Sequence, residues 1–241
     1  MPVDVLAIAA HRDDVELTCA GTLLKATDAG YRTAILDLTA GETGTRGSAE
    51  LRAAEAERAA GLLGVAERRN AGLPDAHLEN TEATRRLLVE QLRYFAPRVV
   101  ILPFPVGRHP DHRIASELGR DACFLAGLAK YGGGGAPHRP HKILYALSYR
   151  EDPIKPTFVV DISAQFDRKL ASVRCYETQF PPEKAQVFDR IRGYGLLAGA
   201  AAGVTYGETF VNTRSIVTKD LVQLLLGSKP VTGGEVAPLS T

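Results

Sequence analysis

The chain has 241 residues, 45% hydrophobic and 24% charged, enough for one large domain with its own core. With 29 Lys and Arg against 28 Asp and Glu, no global field favours a nucleic acid or an anionic membrane as partner. Three scattered cysteines, Cys19, Cys123 and Cys175, argue against a disulfide framework and against a Cys-rich structural zinc site.

In chain order, residues 3–9 read as a buried strand, followed by a loop over 11–16. Residues 18–29 have helical spacing with Gly30 as C-cap, and 33–38 form a second buried strand. A glycine-rich loop over 39–47 leads to Ser48, the N-cap of a helix reaching residue 63. A short strand and turn occupy 69–75, and an amphipathic helix over 81–95 is stopped by Pro97. Residues 99–103 are a further buried strand, and 112–128 a helix. Past the Gly132 to Gly135 surface loop, strands are expected at 142–149 and 157–162. Ser163 is expected to cap a helix to Phe180, broken by Pro181-Pro182, then a helix over 183–202 and a strand over 208–211.

This alternation predicts a single α/β domain: a Rossmann-like, mostly parallel sheet with helices on both faces. Ligands of such sheets bind at the carboxyl ends of strands, near a topological switch point. The composition turns to Gly, Ser, Pro and Thr near the end, so the domain is expected over 1–226 and a disordered tail over 227–241. Met1-Pro2-Val3-Asp4 carries no basic leader region and no apolar run is long enough to span a bilayer, so a cytoplasmic enzyme is expected.

Two acidic-histidine clusters follow buried strands: His11-Arg12-Asp13-Asp14-Val15-Glu16 and His109-Pro110-Asp111-His112. Parallel strands can bring both to one rim, where imidazoles and carboxylates converge as a catalytic metal requires. His11, Asp14 and His112 offer the two-histidine, one-carboxylate set of hydrolytic zinc sites. Asp13 points differently and stays free to act as general base. Of His109 and His112, one can bind metal while the other faces substrate, and Asp111 can orient an imidazole. The plainer alternative for the first cluster is a solvated turn or a helix cap.

Gly41, Gly44 and Gly47 recur at every third position, but neither G-x-G-x-x-G nor G-K-[ST] is present, so dinucleotide and P-loop binding are not supported. Their loop is either a plain connector or a mobile rim carrying Glu42 and Arg46 to substrate. Arg52 faces either an anionic or hydroxyl-rich ligand or Glu55 on its own helix. Arg108, beside His109, suits a substrate carboxylate. His77, His138 and His141 read as polar surface residues.

Ala10 to Glu16 resembles the A-H-P-D-D-x-E motif of the LmbE-like/PIG-L deacetylase family, and His109-Pro110-Asp111-His112 matches that family's second motif. Leu38 to Gly47, Glu50-Leu51-Arg52, Asp121 to Leu128, Lys155 to Ser163 and Tyr176 to Phe180 resemble its bacillithiol-biosynthesis branch. The resemblance implies a Zn2+-dependent N-deacetylase, with Fe2+ as the alternative metal, acting on an amino-sugar conjugate: N-acetylglucosaminyl malate in that branch. It implies His11, Asp14 and His112 as metal ligands and Asp13 as general base. His109 would stabilise the tetrahedral intermediate or protonate the leaving amine, with Asp111 orienting it. Arg52, Arg108 and Tyr206 match substrate-binding positions, Tyr206 as a mobile tyrosine near the oxyanion, and a homo-hexamer is implied. Arg12 departs from the family's usual proline and is expected to face solvent or an ion pair. The alternatives are deacetylation of another conjugate (mycothiol-type or chitooligosaccharide), thiol-conjugate amide cleavage, or a non-catalytic sugar or anion binder on the same fold.

Overall fold

Strand β1 (Val5–Ala9) is apolar on both faces, as the middle strand of a parallel sheet must be. Leu6 and Ile8 pack into one apolar cluster and Ala7 and Ala9 into another, so alternate side chains feed the two sides of the sheet. The computed structural model describes residues 1–148 and 154–217. The expected boundary at 226 and tail at 227–241 lie outside them.

β1 pairs in parallel with β2 (Thr33–Thr39) and β4 (Val99–Pro103). β3 (Glu67–Leu73) lies beyond β2 and β5 (Lys142–Ala146) beyond β4, also in parallel. β7 (Gly207–Val211) pairs antiparallel with both β5 and β6 (Phe158–Asp161). The sheet order is β3-β2-β1-β4-β5-β7-β6. Helices α1 (Asp14–Thr18), α2 (Ala20–Asp28), α3 (Ala49–Leu63) and α6 (Phe166–Arg174) cover one face, and α4 (Glu82–Phe95) and α5 (Pro110–Leu125) the other. α7 (Gln186–Ala202) packs on β7. This is the single Rossmann-like α/β domain the sequence predicts. No helix among the described residues is long and apolar enough to cross a membrane.

The main departures have tertiary causes. The helix expected over 18–29 is two helices: α1 begins inside the first cluster at Asp14, and the chain breaks at Cys19. Glu208 on β7 makes the break possible by accepting the amides of Gly21 (2.9 Å) and Thr22 (2.7 Å) at the start of α2. Lys169 on α6, equally buried, neutralises Glu208 at 2.5 Å. α5 starts earlier than expected, at Pro110, because His109 is its N-cap: His109 Nδ1 accepts the Asp111 amide at 3.2 Å. The helix expected over 163–180 ends at Arg174; past it, Glu55 on α3 accepts the amide and hydroxyl of Thr178 (2.8 and 2.7 Å). Ser163 does not cap α6, since its amide and hydroxyl both donate to Asp161.

Beneath the first cluster, Arg68 on β3 is buried among acidic groups. Its guanidinium is bidentate to Asp37 on β2 (2.8 and 2.9 Å) and donates to Glu16 on α1 at 2.6 Å. It also donates to the Arg12 carbonyl, which the Tyr176 hydroxyl caps as well. Burial pushes the Glu16 pKa up to about 7 against the pull of Arg68. Arg68→Ala strands two carboxylates in the core. It is expected to lower the unfolding free energy by about 3–5 kcal/mol, measured by urea denaturation.

Candidate active site

The two clusters meet because β1 and β4 are adjacent and parallel, in register from Val5 opposite Val99 to Ala7 opposite Ile101. To one side of this pair the chain continues through β2 and β3, and to the other through β5, so the loops after β1 and β4 flank the switch point. Between them lies a cavity of about 310 Å³, lined by His11, Asp13, Asp14, Arg52, Asp75, Arg108, His109 and His112 among others.

Three imidazoles form a triangle, with ring centroids 4.8 Å apart for His11 and His109, 5.4 Å for His11 and His112, and 5.2 Å for His109 and His112. Starting α1 at Asp14 turns that carboxylate back into the cavity. One of its oxygens accepts the His11 amide at 2.9 Å and lies 3.3 Å from His11 Nδ1; the other lies 3.1 Å from His112 Nε2. The opposite nitrogen of the ring, His11 Nε2, faces Asp75 Oδ1 at 3.1 Å and Asp111 Oδ2 at 3.4 Å. Two donor sets have ligand atoms within 4.8 Å of one another: His11, Asp14 and His112, and His11, His109 and Asp111.

The cavity favours positive charge at one imidazole and neutrality at another. Burial disfavours charge on His11, yet Asp14, Asp13 and Asp75 outweigh it and raise its pKa to about 9. Burial also opposes charge on Asp14, but His112 and His11 hold it well below the usual carboxylate range. Burial and then Asp14 raise the pKa of Asp13, against Arg52 and His11. For His109, burial followed by His11 and His112 lowers it. With Nδ1 of His109 accepting an amide, its neutral ring carries the proton on Nε2.

The remaining residues singled out in the sequence divide into two groups. Arg52 is buried and donates to the Gly41 carbonyl (2.9 Å) and to Asp13 (3.3 Å), not to Glu55. Arg108 is exposed on the cavity wall. Asp111 reaches His11 and the Ala76 amide (2.8 Å) with its carboxylate, and meets His109 through its own amide. Three others stand away from the cavity lining. Glu42 accepts the Asp75 amide at 2.8 Å, and Arg46 pairs with Glu183 at 2.8 Å on the surface. Tyr206 stacks on Phe166 at 3.7 Å and accepts a hydrogen bond from Arg192. Arg12 is half-buried and donates to the Ala49 carbonyl at 2.6 Å in the first turn of α3.

Sequence reasoning missed Asp75. The available signal was position: Pro74-Asp75 follows β3 just as the two clusters follow β1 and β4. Thr43, Ser148 and Gln179 also line the cavity and were not singled out.

A sequence model of the family described as PIG-L, GlcNAc-PI de-N-acetylase, matches residues 6–123. Diacetylchitobiose deacetylase of Thermococcus kodakarensis is 34% identical over 217 residues, covering 85% of this chain and 80% of that one. The chain belongs to the PIG-L/LmbE deacetylase family. A second family relative, a probable N-acetyl-α-D-glucosaminyl L-malate deacetylase 2 of Bacillus anthracis, is 28% identical, covering 73% of this chain and 81% of its own. The crystal structure of a conserved protein from Thermus thermophilus matches at a TM-score of 0.84 and 39% identity, covering 90% of this chain and 97% of that one. N,N'-diacetylchitobiose deacetylase from Pyrococcus horikoshii, complexed with its inhibitor MPG, matches at 0.79 and 28% identity, covering 86% and 82%. Identity to a chitobiose deacetylase therefore exceeds that to the bacillithiol-branch relative, the reverse of the sequence expectation.

Gly41 sits where the rim loop has no room for a side chain. Its φ is +72°, and an added Cβ would lie 1.9 Å from Arg52 Nη1. Gly41→Ala is expected to cost about 1–3 kcal/mol in thermal unfolding and to displace Arg52 from Asp13, visible as weaker deacetylation.

Proposed function

We propose that the protein hydrolyses the acetamide of an N-acetylglucosamine-containing saccharide, with chitooligosaccharides such as diacetylchitobiose as the leading substrate class. The observation that carries this reading is Asp13, a half-buried carboxylate held by Arg52 beside the histidine-aspartate donor set, in a chain 34% identical to a diacetylchitobiose deacetylase.

His11, Asp14 and His112 would hold a divalent ion. Imidazole and carboxylate donors suit zinc and also ferrous iron, and the raised His11 pKa marks a place that stabilises positive charge. When bound, such an ion supplies Lewis-acid polarisation of the acetyl carbonyl and acidifies water. Asp13 takes a proton from the water that attacks the acetyl carbon. Its raised pKa makes it a better base than an exposed aspartate, and Arg52 fixes its orientation. His109 is neutral, with its cap bond at Nδ1, and offers Nε2–H to the carbonyl oxygen as negative charge develops there. The proton on Asp13 then passes to the departing amine, leaving acetate and a free amino sugar. Asp13→Asn is expected to lower kcat by about 10²–10⁴-fold while zinc still binds. Asp14→Ala and His112→Ala are expected to lose both zinc and activity. Acetate release together with metal content of the same samples checks all three, and full rate in Asp13→Asn overturns the reading.

A second reading is favoured by Arg108. It is exposed on the cavity wall and no carboxylate of the described residues pairs with it, so it suits an anionic aglycone such as malate. A substrate panel decides between the two. Under the first reading, diacetylchitobiose turns over faster than N-acetylglucosaminyl malate. Under the second the order reverses, and Arg108→Ala raises KM for the malate conjugate by about tenfold or more.

A further inference from the structure

His11 is held from both sides of its ring. Nδ1 faces Asp14, and Nε2 faces the buried carboxylates of Asp75 and Asp111. Asp111 comes from the helix that also carries His112, so it belongs to the rigid frame. Asp75 is placed differently. Its Oδ2 accepts the Thr43 amide at 3.0 Å and the Thr43 hydroxyl at 2.6 Å, and its own amide donates to Glu42 at 2.8 Å. Glu42, Thr43 and Gly44 belong to the glycine loop, and Thr43 and Gly44 line the cavity. The same loop is gripped at its base by Arg52, which holds the Gly41 carbonyl and reaches Asp13. A continuous chain of contacts thus runs from the cavity rim through Thr43 and Asp75 to His11.

We infer that Asp75 is a positioning residue that couples the 40–47 rim loop to the imidazole of His11. A ring nitrogen carrying its proton towards a carboxylate is fixed in tautomer and orientation, and its opposite nitrogen becomes the better donor. Thr43 holds the other oxygen of Asp75 through its hydroxyl as well as its amide; loss of the hydroxyl leaves the carboxylate held by the Thr43 and Ala76 amides alone and less firmly aimed at His11. The Thr43 contact therefore strengthens the hold of His11 on a metal, and its loss weakens it. Linkage makes the coupling reciprocal, so metal binding orders the rim.

The inference rests on His11 being a metal ligand, and the experiment separates the two. Zinc affinity of the purified full chain is measured by competition with a chromophoric chelator, with thermal melts of the metal-free proteins as the folding control. Asp75→Ala is expected to raise the zinc Kd by about 10–100-fold. Thr43→Val, which touches the exposed rim and not His11, is expected to raise it by about three- to tenfold, and Thr43→Ser to restore it. In the Asp75→Ala background Thr43→Val should add nothing, because its path to His11 is already cut. Unchanged zinc affinity in Thr43→Val, or an equal loss with and without Asp75, overturns the coupling. Should Asp75→Ala fail to fold, the Thr43→Val and Thr43→Ser pair decides alone. If instead the native chain binds no zinc, or His11→Ala binds it as tightly, the ligand assignment fails and not the coupling.

Discussion

The Arg68 guanidinium is the fixed point beneath the cavity. It ties β3 to β2 through Asp37, to α1 through Glu16, and to the loop after β1 through the Arg12 carbonyl. Asp37 and Glu16 are buried, so neither has water as an alternative partner, and removal of the cation would leave both carboxylates without their charge partner. The loop carrying His11, Asp13 and Asp14 is therefore anchored from below through its backbone, which frees its side chains to face the cavity. Arg12 adds a second tether, from the same loop to the first turn of α3. In place of a proline's fixed φ, the loop is held here by two arginines, one at its carbonyl and one by its own side chain.

Much of the fold was legible because the buried strands are short apolar runs closed by punctuating residues. β4 falls on residues 99–103 as expected, and Ser48 caps α3 through the Leu51 amide at 3.2 Å. The convergence of the two clusters was legible for the same reason: parallel strands leave their carboxyl ends on one rim. What escaped was anything set by residues distant in sequence. The break at Cys19 depends on Glu208, and the end of α6 on Glu55. Asp75 escaped because a lone aspartate after a proline has the signature of an ordinary turn. Glu42 and Arg46 read as substrate groups, but the rim uses one to hold Asp75 and the other to hold Glu183.

Within the cavity the carboxylates take different parts because their surroundings differ. Asp14 lies between two imidazoles and is held ionised, whereas Asp13, next in sequence, feels burial and Asp14 more strongly than Arg52. Two adjacent aspartates thus acquire opposite shifts from one turn of backbone, as the proposed division between a cation-holding and a proton-accepting carboxylate requires. His109 is distinguished from His11 in the same way: the ring surrounded by carboxylates sits where positive charge is favoured, and the ring used as a helix cap sits where it is not.

Glu208 also bears on the order in which the molecule is completed. Synthesis has delivered both histidine-aspartate clusters once His112 has emerged, yet the carboxylate that terminates one helix and starts the next arrives only with β7. Until then the amides of Gly21 and Thr22 at the start of α2 lack this acceptor. A nascent chain therefore carries both clusters well before the carboxylate that caps α2 behind the first of them.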